Sequence, residues 1–139
     1  MSLVGRTKVT LRFVGDDLDP DTLTAMLGCR PTSAKRAGEV LPSGYVVVRG
    51  SWHMQSELCV PGDLDTQIRS ILASLTSDLA VWNDLAERYR ANLFCGLFLT
   101  EGNQEIVLSS DTMAAIGLRG IKLGLDIYGA EMPDETASW

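Results

Sequence analysis

The most constraining feature of this sequence is a strict alternation near its start. In TKVTLRFVG (residues 7–15), Val9, Leu11 and Phe13 take one phase while Lys8, Thr10 and Arg12 take the other. Side chains along an extended chain point alternately to opposite faces, so a period of two demands a strand with one face buried and one exposed. IKLGLDIYG (residues 121–129) repeats the pattern near the other end, with Ile121, Leu123, Leu125 and Ile127 expected inward and Lys122, Asp126 and Tyr128 outward. YVVVRGSWHMQSEL (45–58) also reads with period two. There Val46, Val48, Trp52, Met54 and Leu58 are expected inward, and Tyr45, Arg49, Ser51, His53, Gln55 and Glu57 outward. Gly50 stands mid-run, where a bulge or bend is expected.

Between these runs the period changes to that of helices. Asp19 and Pro20 form a cap and first helical position, Leu23, Met26 and Leu27 follow at i, i+3 and i+4, and Gly28 stops the helix. PGDLDTQIRSILASL places Ile68, Ile71, Leu72 and Leu75 on one stripe, and SDLAVWNDLAERYR places Leu79, Trp82, Leu85, Ala86 and Tyr89 on another. ANLFCGLFLT (91–100) is apolar on both faces and reads as a central strand. EGNQ reads as a turn and EIVLS as a short strand, together a hairpin; SSDTMAAIGL reads as a short helix capped by Ser110 and ending near Gly117. Residues 29–44, broken by Pro31, Gly38, Pro42 and Gly44, form a long connection. The expectation is one α+β domain over residues 1–139, a mainly antiparallel sheet with helices packed on one face, ending in a loose acidic tail at 130–139 where Trp139 is available for docking.

Composition limits the partners. The chain has 139 residues and a formal charge of −6, with 45% apolar and 22% charged residues, which suits one soluble globular core. No apolar run approaches the roughly 18 residues of a membrane span. MSLVGRTKVTLRF lacks the continuous apolar core and small-residue cleavage site of a secretory signal. Cys29, Cys59 and Cys95 are odd in number and have no paired spacing, which suits a reducing cytoplasm and structural thiols. Overall acidity disfavours nucleic acid as a partner. Yet the charge is unevenly spread: residues 1–50 hold seven Lys/Arg and five Asp/Glu, residues 51–139 five and thirteen.

Candidate chemistry is sparse. The sequence contains no phosphate-binding glycine loop, dinucleotide fingerprint, GxSxG, HExxH or CxxC motif. His53 is the single histidine, and no set of Cys, His and acids has metal-ligand spacing. The acids Asp16, Asp17, Asp19 and Asp21 suit a helix start better than a cation site. The expectation is therefore no catalytic residues, no metal and no cofactor, and the balance leans away from an enzyme; an enzyme would have to draw on His53, Asp126, Tyr128 and the cysteines. What remains is a collective feature. If the strands share one sheet, the outward rows gather Lys8, Thr10, Arg12, Arg49, Ser51, His53, Gln55, Lys122, Asp126 and Tyr128. With the 29–44 loop, whose stretch CRPTSAKRAGEV (29–40) is basic, folded over its edge, this face would be a polar cleft that also takes in Tyr45. The tentative binding residues are Arg30, Lys35, Arg36, Arg49, His53, Asp126 and Tyr128, cations and hydroxyls suited to a carboxylate or phosphate. A solvated face whose charges pair across strands is the plainer reading.

In order, the strand ending in GDDLDP, the helix ending in LGCRPT, the basic loop with its Gly-Glu, the Trp strand SWHMQSEL and the closing strand LGLDIYG resemble the bacterial family catalogued as domain of unknown function 4279, over roughly residues 8–129. The resemblance implies a small bacterial cytoplasmic protein and brings with it no reaction and no catalytic residue. The family-like positions are Arg30, Pro31, Gly38, Trp52, Asp126 and Tyr128. The functional expectation is a non-enzymatic, immunity-like protein-interaction module, monomeric or homodimeric, with a small-anion-binding domain as the alternative and with neither nucleic acid nor membrane as a partner.

Overall fold

A computed structural model describes residues 3–130. The tail and Trp139 docking expected from the sequence lie outside the described residues. In chain order the elements are β1 (Arg6–Gly15), α1 (Pro20–Leu27), β2 (Ser33–Lys35), β3 (Gly50–Gln55), α2 (Leu64–Ala73), α3 (Leu79–Arg88), β4 (Arg90–Phe98), α4 (Ser110–Leu118) and β5 (Lys122–Tyr128). The five strands form one sheet in the order β2-β3-β1-β4-β5. Pairing is antiparallel except between β4 and β5, which run parallel with α4 as their crossover. The α+β class and the mainly antiparallel sheet are as the periodicity requires.

The alternation of β1 is realised in full. Val9, Leu11 and Phe13 are completely buried against the helices. Phe13 meets the Trp52 ring edge-on at 5.9 Å between centroids and the Trp82 ring at 6.0 Å. Both indole N–H groups are satisfied, donating to the Thr24 hydroxyl (3.1 Å) and the Thr76 carbonyl (2.7 Å), which removes the penalty of burying them. Leu23 and Leu27 of α1, Ile68, Ile71 and Leu72 of α2, and Trp82 and Leu85 of α3 complete the same core. Helix α1 starts at an Asp19 cap with Pro20 in its first turn and stops at Gly28, whose φ of 81° is left-handed.

Four local readings need correction. EIVLS makes no hairpin with β4; among its residues only Glu105 forms an isolated bridge, to Leu3, and β4 gains β5 as its neighbour instead. The cap of α4 is Ser109, whose hydroxyl accepts from the Thr112 N–H. Val46, Val48 and Leu58 are exposed, and the buried residue before β3 is Val47. The strand in the 45–58 run is confined to β3, because residues 36–47 fold on themselves through Gly38 N–H to Val47 C=O and Val47 N–H to Glu39 C=O bonds, both 2.8 Å. Gly50 makes no bulge. It pairs squarely with Gly15, and a Cβ there would overlap the carbonyl oxygen of Leu18. The glycine is there to let the β1–α1 turn pass against β3.

Candidate binding face

The register of the sheet determines what its second face carries. Opposite the even-numbered residues of β1 lie Ser51, His53 and Gln55 on β3 and Arg90, Asn92, Phe94, Gly96 and Phe98 on β4. Beyond them come Ser33 and Lys35 on β2 and Lys122, Gly124, Asp126 and Tyr128 on β5. Directly paired residues share a face, so all of these lie on the side away from the core. The five strands contain six Lys/Arg (Arg6, Lys8, Arg12, Lys35, Arg90, Lys122) and one acid, Asp126. All seven are on this face. The chain as a whole has 12 Lys/Arg against 18 Asp/Glu, so the face inverts the charge balance of the molecule.

Aromatic rings hold two of the cations. The Arg12 guanidinium lies over Phe94, 4.3 Å from its centroid, and the Arg6 guanidinium over Phe98 at 4.6 Å. Phe98 in turn stacks on Tyr128, with centroids 4.6 Å apart and planes within 4°. The Tyr128 hydroxyl donates to the Asp126 carboxylate at 2.8 Å, and this bond holds the phenol proton, raising the Tyr128 pKa. None of the six cations is ion-paired to another described residue. His53 sits in the same row as Arg12 and Ser33. Partial burial first, then Arg12 and Lys35, lower its pKa, because each disfavours adding a further positive charge.

Of the residues singled out from the sequence, the structure brings Lys35, His53, Asp126 and Tyr128 onto this face, along with Lys8, Thr10, Arg12, Ser51, Gln55 and Lys122. Arg36 and Arg49 are elsewhere. Arg36 reaches the start of α1 and pairs with both Asp19 and Asp21, and Arg49 pairs with Asp16 at 3.2 Å. Arg36 and Arg49 of the basic segment are therefore neutralised by the acid cluster, and the Thr22 hydroxyl first, then Arg36, lower the Asp19 pKa. Arg30 is exposed in the turn between α1 and β2, and Tyr45 lies in the 36–47 hairpin, off the sheet. Sequence reasoning missed Arg6, Asn92, Phe94 and Phe98. The run ANLFCGLFLT reads as buried on both sides, whereas Phe94 and Phe98 are only partly covered, on the open side, by arginines of β1. The basic phase of β1, carried across by register, was the signal.

Elsewhere, an apolar groove of about 410 Å³ runs between residues 54–59 and α2, and among the described residues Glu57 is its one charged wall residue, so no cluster of described charges converges there. Cys95 is buried, which pushes its thiol up to about 12 and leaves it protonated and inert. Among the described residues no group of three or more His, Cys, Asp or Glu is placed to hold a metal ion, and no helix is long and apolar enough to cross a membrane.

A model of the family described as a domain of unknown function (DUF4279) matches residues 5–130. No curated protein and no solved structure matches the chain.

Proposed function

The chain belongs to the DUF4279 family, and from the geometry of its sheet we propose that it is a non-enzymatic protein-interaction module whose open face takes an acidic segment of a partner protein. The observation that carries this reading is the six-to-one excess of cations over acids on one sheet face of an otherwise acidic chain. Like charges gathered on one face repel, and an anionic partner converts that cost into attraction and faster encounter. Guanidiniums held over rings are already positioned for carboxylates and lose little freedom on binding.

An extended partner suits this face better than a small anion. The cations lie on four of the five strands, from one edge of the sheet to the other, instead of converging in a cleft, and small-ligand sites are concave. A single-stranded nucleic acid would need free ring faces for its bases. Phe98 is engaged by both Arg6 and Tyr128, and Phe94 is capped by Arg12, so acidic side chains fit the surface and stacked bases do not.

The test is fluorescence anisotropy with a labelled poly-glutamate peptide, run beside an oligothymidylate of equal charge. The expected result is salt-sensitive binding of the peptide that is lost in R6E/K8E/R12E and kept in R69E, which reverses a cation of α2. Equal peptide binding by the wild type and the triple variant, or preference for the oligonucleotide, rejects the reading.

A further inference from the structure

The two edges of the sheet are treated differently. Edge strand β2 is three residues long, follows Pro31 and ends in Lys35, the usual way of discouraging further pairing. Edge strand β5 is seven residues long and carries no proline. Its register with β4 places Leu123, Leu125 and Ile127 on the core side, opposite Leu93, Cys95 and Leu97. Yet they are 38%, 48% and 57% exposed, whereas those β4 partners are buried. The inward row expected from the alternation therefore faces the right way but is left largely uncovered among the described residues. A long edge with an exposed apolar row is a template for another strand.

We infer that the free edge of β5 is the contact between two copies of this chain, paired antiparallel about a two-fold axis at Gly124. Two features of β5 point to a second copy and to that register. First, the Tyr128 carbonyl accepts from the Leu99 N–H at 2.9 Å and so points at β4. Alternation along the strand turns the backbone groups of Leu123, Leu125 and Ile127 to the open side. With the axis at Gly124, Leu123 of each copy meets Leu125 of the other as a hydrogen-bonded pair, and the exposed apolar stripe becomes continuous between the copies. Second, the same register sets each Lys122 opposite the other copy's Asp126 in a non-hydrogen-bonded pair, where strands approach most closely, about 4.5 Å between Cα atoms. Moving the axis by one residue to Leu125 keeps the apolar match but places Lys122 opposite Tyr128 and leaves both charges unpaired. The strand is thus self-complementary in charge and in apolar phase at one register. A two-fold perpendicular to the sheet joins the two sheets into one of ten strands, with both cationic faces on the same side.

Sedimentation velocity over a range of protein concentrations tests this. The wild type is expected to show a concentration-dependent monomer–dimer equilibrium. K122E sets like charges opposite one another twice and should weaken the dimer about tenfold, and K122E/D126K should restore it. L125K, at the centre of the apolar stripe, should leave only monomer, with circular dichroism confirming that the fold is kept. Wild-type protein that stays monomeric at every concentration overturns the inference. So does a dimer indifferent to L125K, and a K122E/D126K dimer no stronger than that of K122E overturns the register.

Discussion

The Arg12 guanidinium lies 4.3 Å from the centre of the Phe94 ring while its Nε–H donates to the Asn92 side-chain oxygen at 3.2 Å. One β1 side chain is thus held by two residues of β4, Asn92 directly opposite it and Phe94 two residues further along the strand. The arrangement shields an aromatic ring that would otherwise face water and also fixes the direction of the charge. A phenylalanine on the outer face of a sheet leaves apolar ring surface open to water. Under an arginine it becomes a platform.

Replacing Phe94 by Leu separates these two roles. The charge of Arg12 stays and its platform is lost, so stability should fall by about 1 kcal/mol. Affinity for poly-glutamate should fall by less than in R12E, which reverses the charge. Denaturant midpoints and anisotropy titrations on the two variants check the order; a larger affinity loss in F94L than in R12E would mean that the ring, not the cation, meets the partner.

His53 should impart a pH dependence of definite sign. Its folded pKa lies below the ordinary 6.5, through burial and then through Arg12 and Lys35. The unfolded chain therefore takes up this proton first as pH falls, so the group's contribution to stability is lost below about 6.5 and regained above it. H53Q should flatten the denaturant midpoint against pH in that window. A slope identical to that of the wild type would show that His53 is not its source. Bound acidic peptide should raise the His53 pKa, visible in its imidazole proton resonances, since added negative charge offsets Arg12 and Lys35.

The alternation of β1 made both faces of the sheet legible, because a half-buried strand writes its two environments into adjacent residues. Asp19, Pro20 and Gly28 likewise announced α1, since caps act locally. What could not be read depends on neighbours chosen by the whole fold. Leu123, Leu125 and Ile127 have the phase of core residues, but whether a helix covers them is decided by where α4 lies. Phe94 and Phe98 look buried in a run that is apolar throughout, and only the cross-strand position of Arg12 and Arg6 shows that they are capped by cations. Arg36 looks free in its loop because Asp19 and Asp21, which neutralise it, are 17 and 15 positions away in sequence.

Gln67 should be among the least replaceable polar side chains. It is buried, accepts from the Thr7 hydroxyl, and donates through Nε2 to the carbonyls of Thr7 (2.9 Å) and Glu57 (2.8 Å). It thereby ties α2 to β1 and to the segment leaving β3. Q67A strands those partners without water and should cost about 1–3 kcal/mol. T7V alone also removes the acceptor for the Asp63 N–H (3.0 Å). The double variant should therefore cost less than the sum of the two single ones, as it must if they act through one network. Additive losses in urea unfolding would show that the two residues act independently.

Gly50 and Gly102 offer a paired test of why β3 begins where it does. Both lack a positive φ, so neither is required by left-handed backbone. They differ in space: a Cβ on Gly102 meets nothing within 4 Å, whereas one on Gly50 runs into the carbonyl oxygen and carbon of Leu18. Leu18 is buried and belongs to the turn that leads into α1, so it has little room to retreat. G50A should lose about 1–3 kcal/mol through forced displacement of packed backbone, and G102A should be near neutral. Loss in G50A should also loosen the start of α1, seen as faster amide exchange at Leu23, whose N–H bonds to the Asp19 carbonyl at 3.2 Å. Equal stability of the two variants would mean that the β1–α1 turn yields freely and that Gly50 is not what allows β3 to close against it.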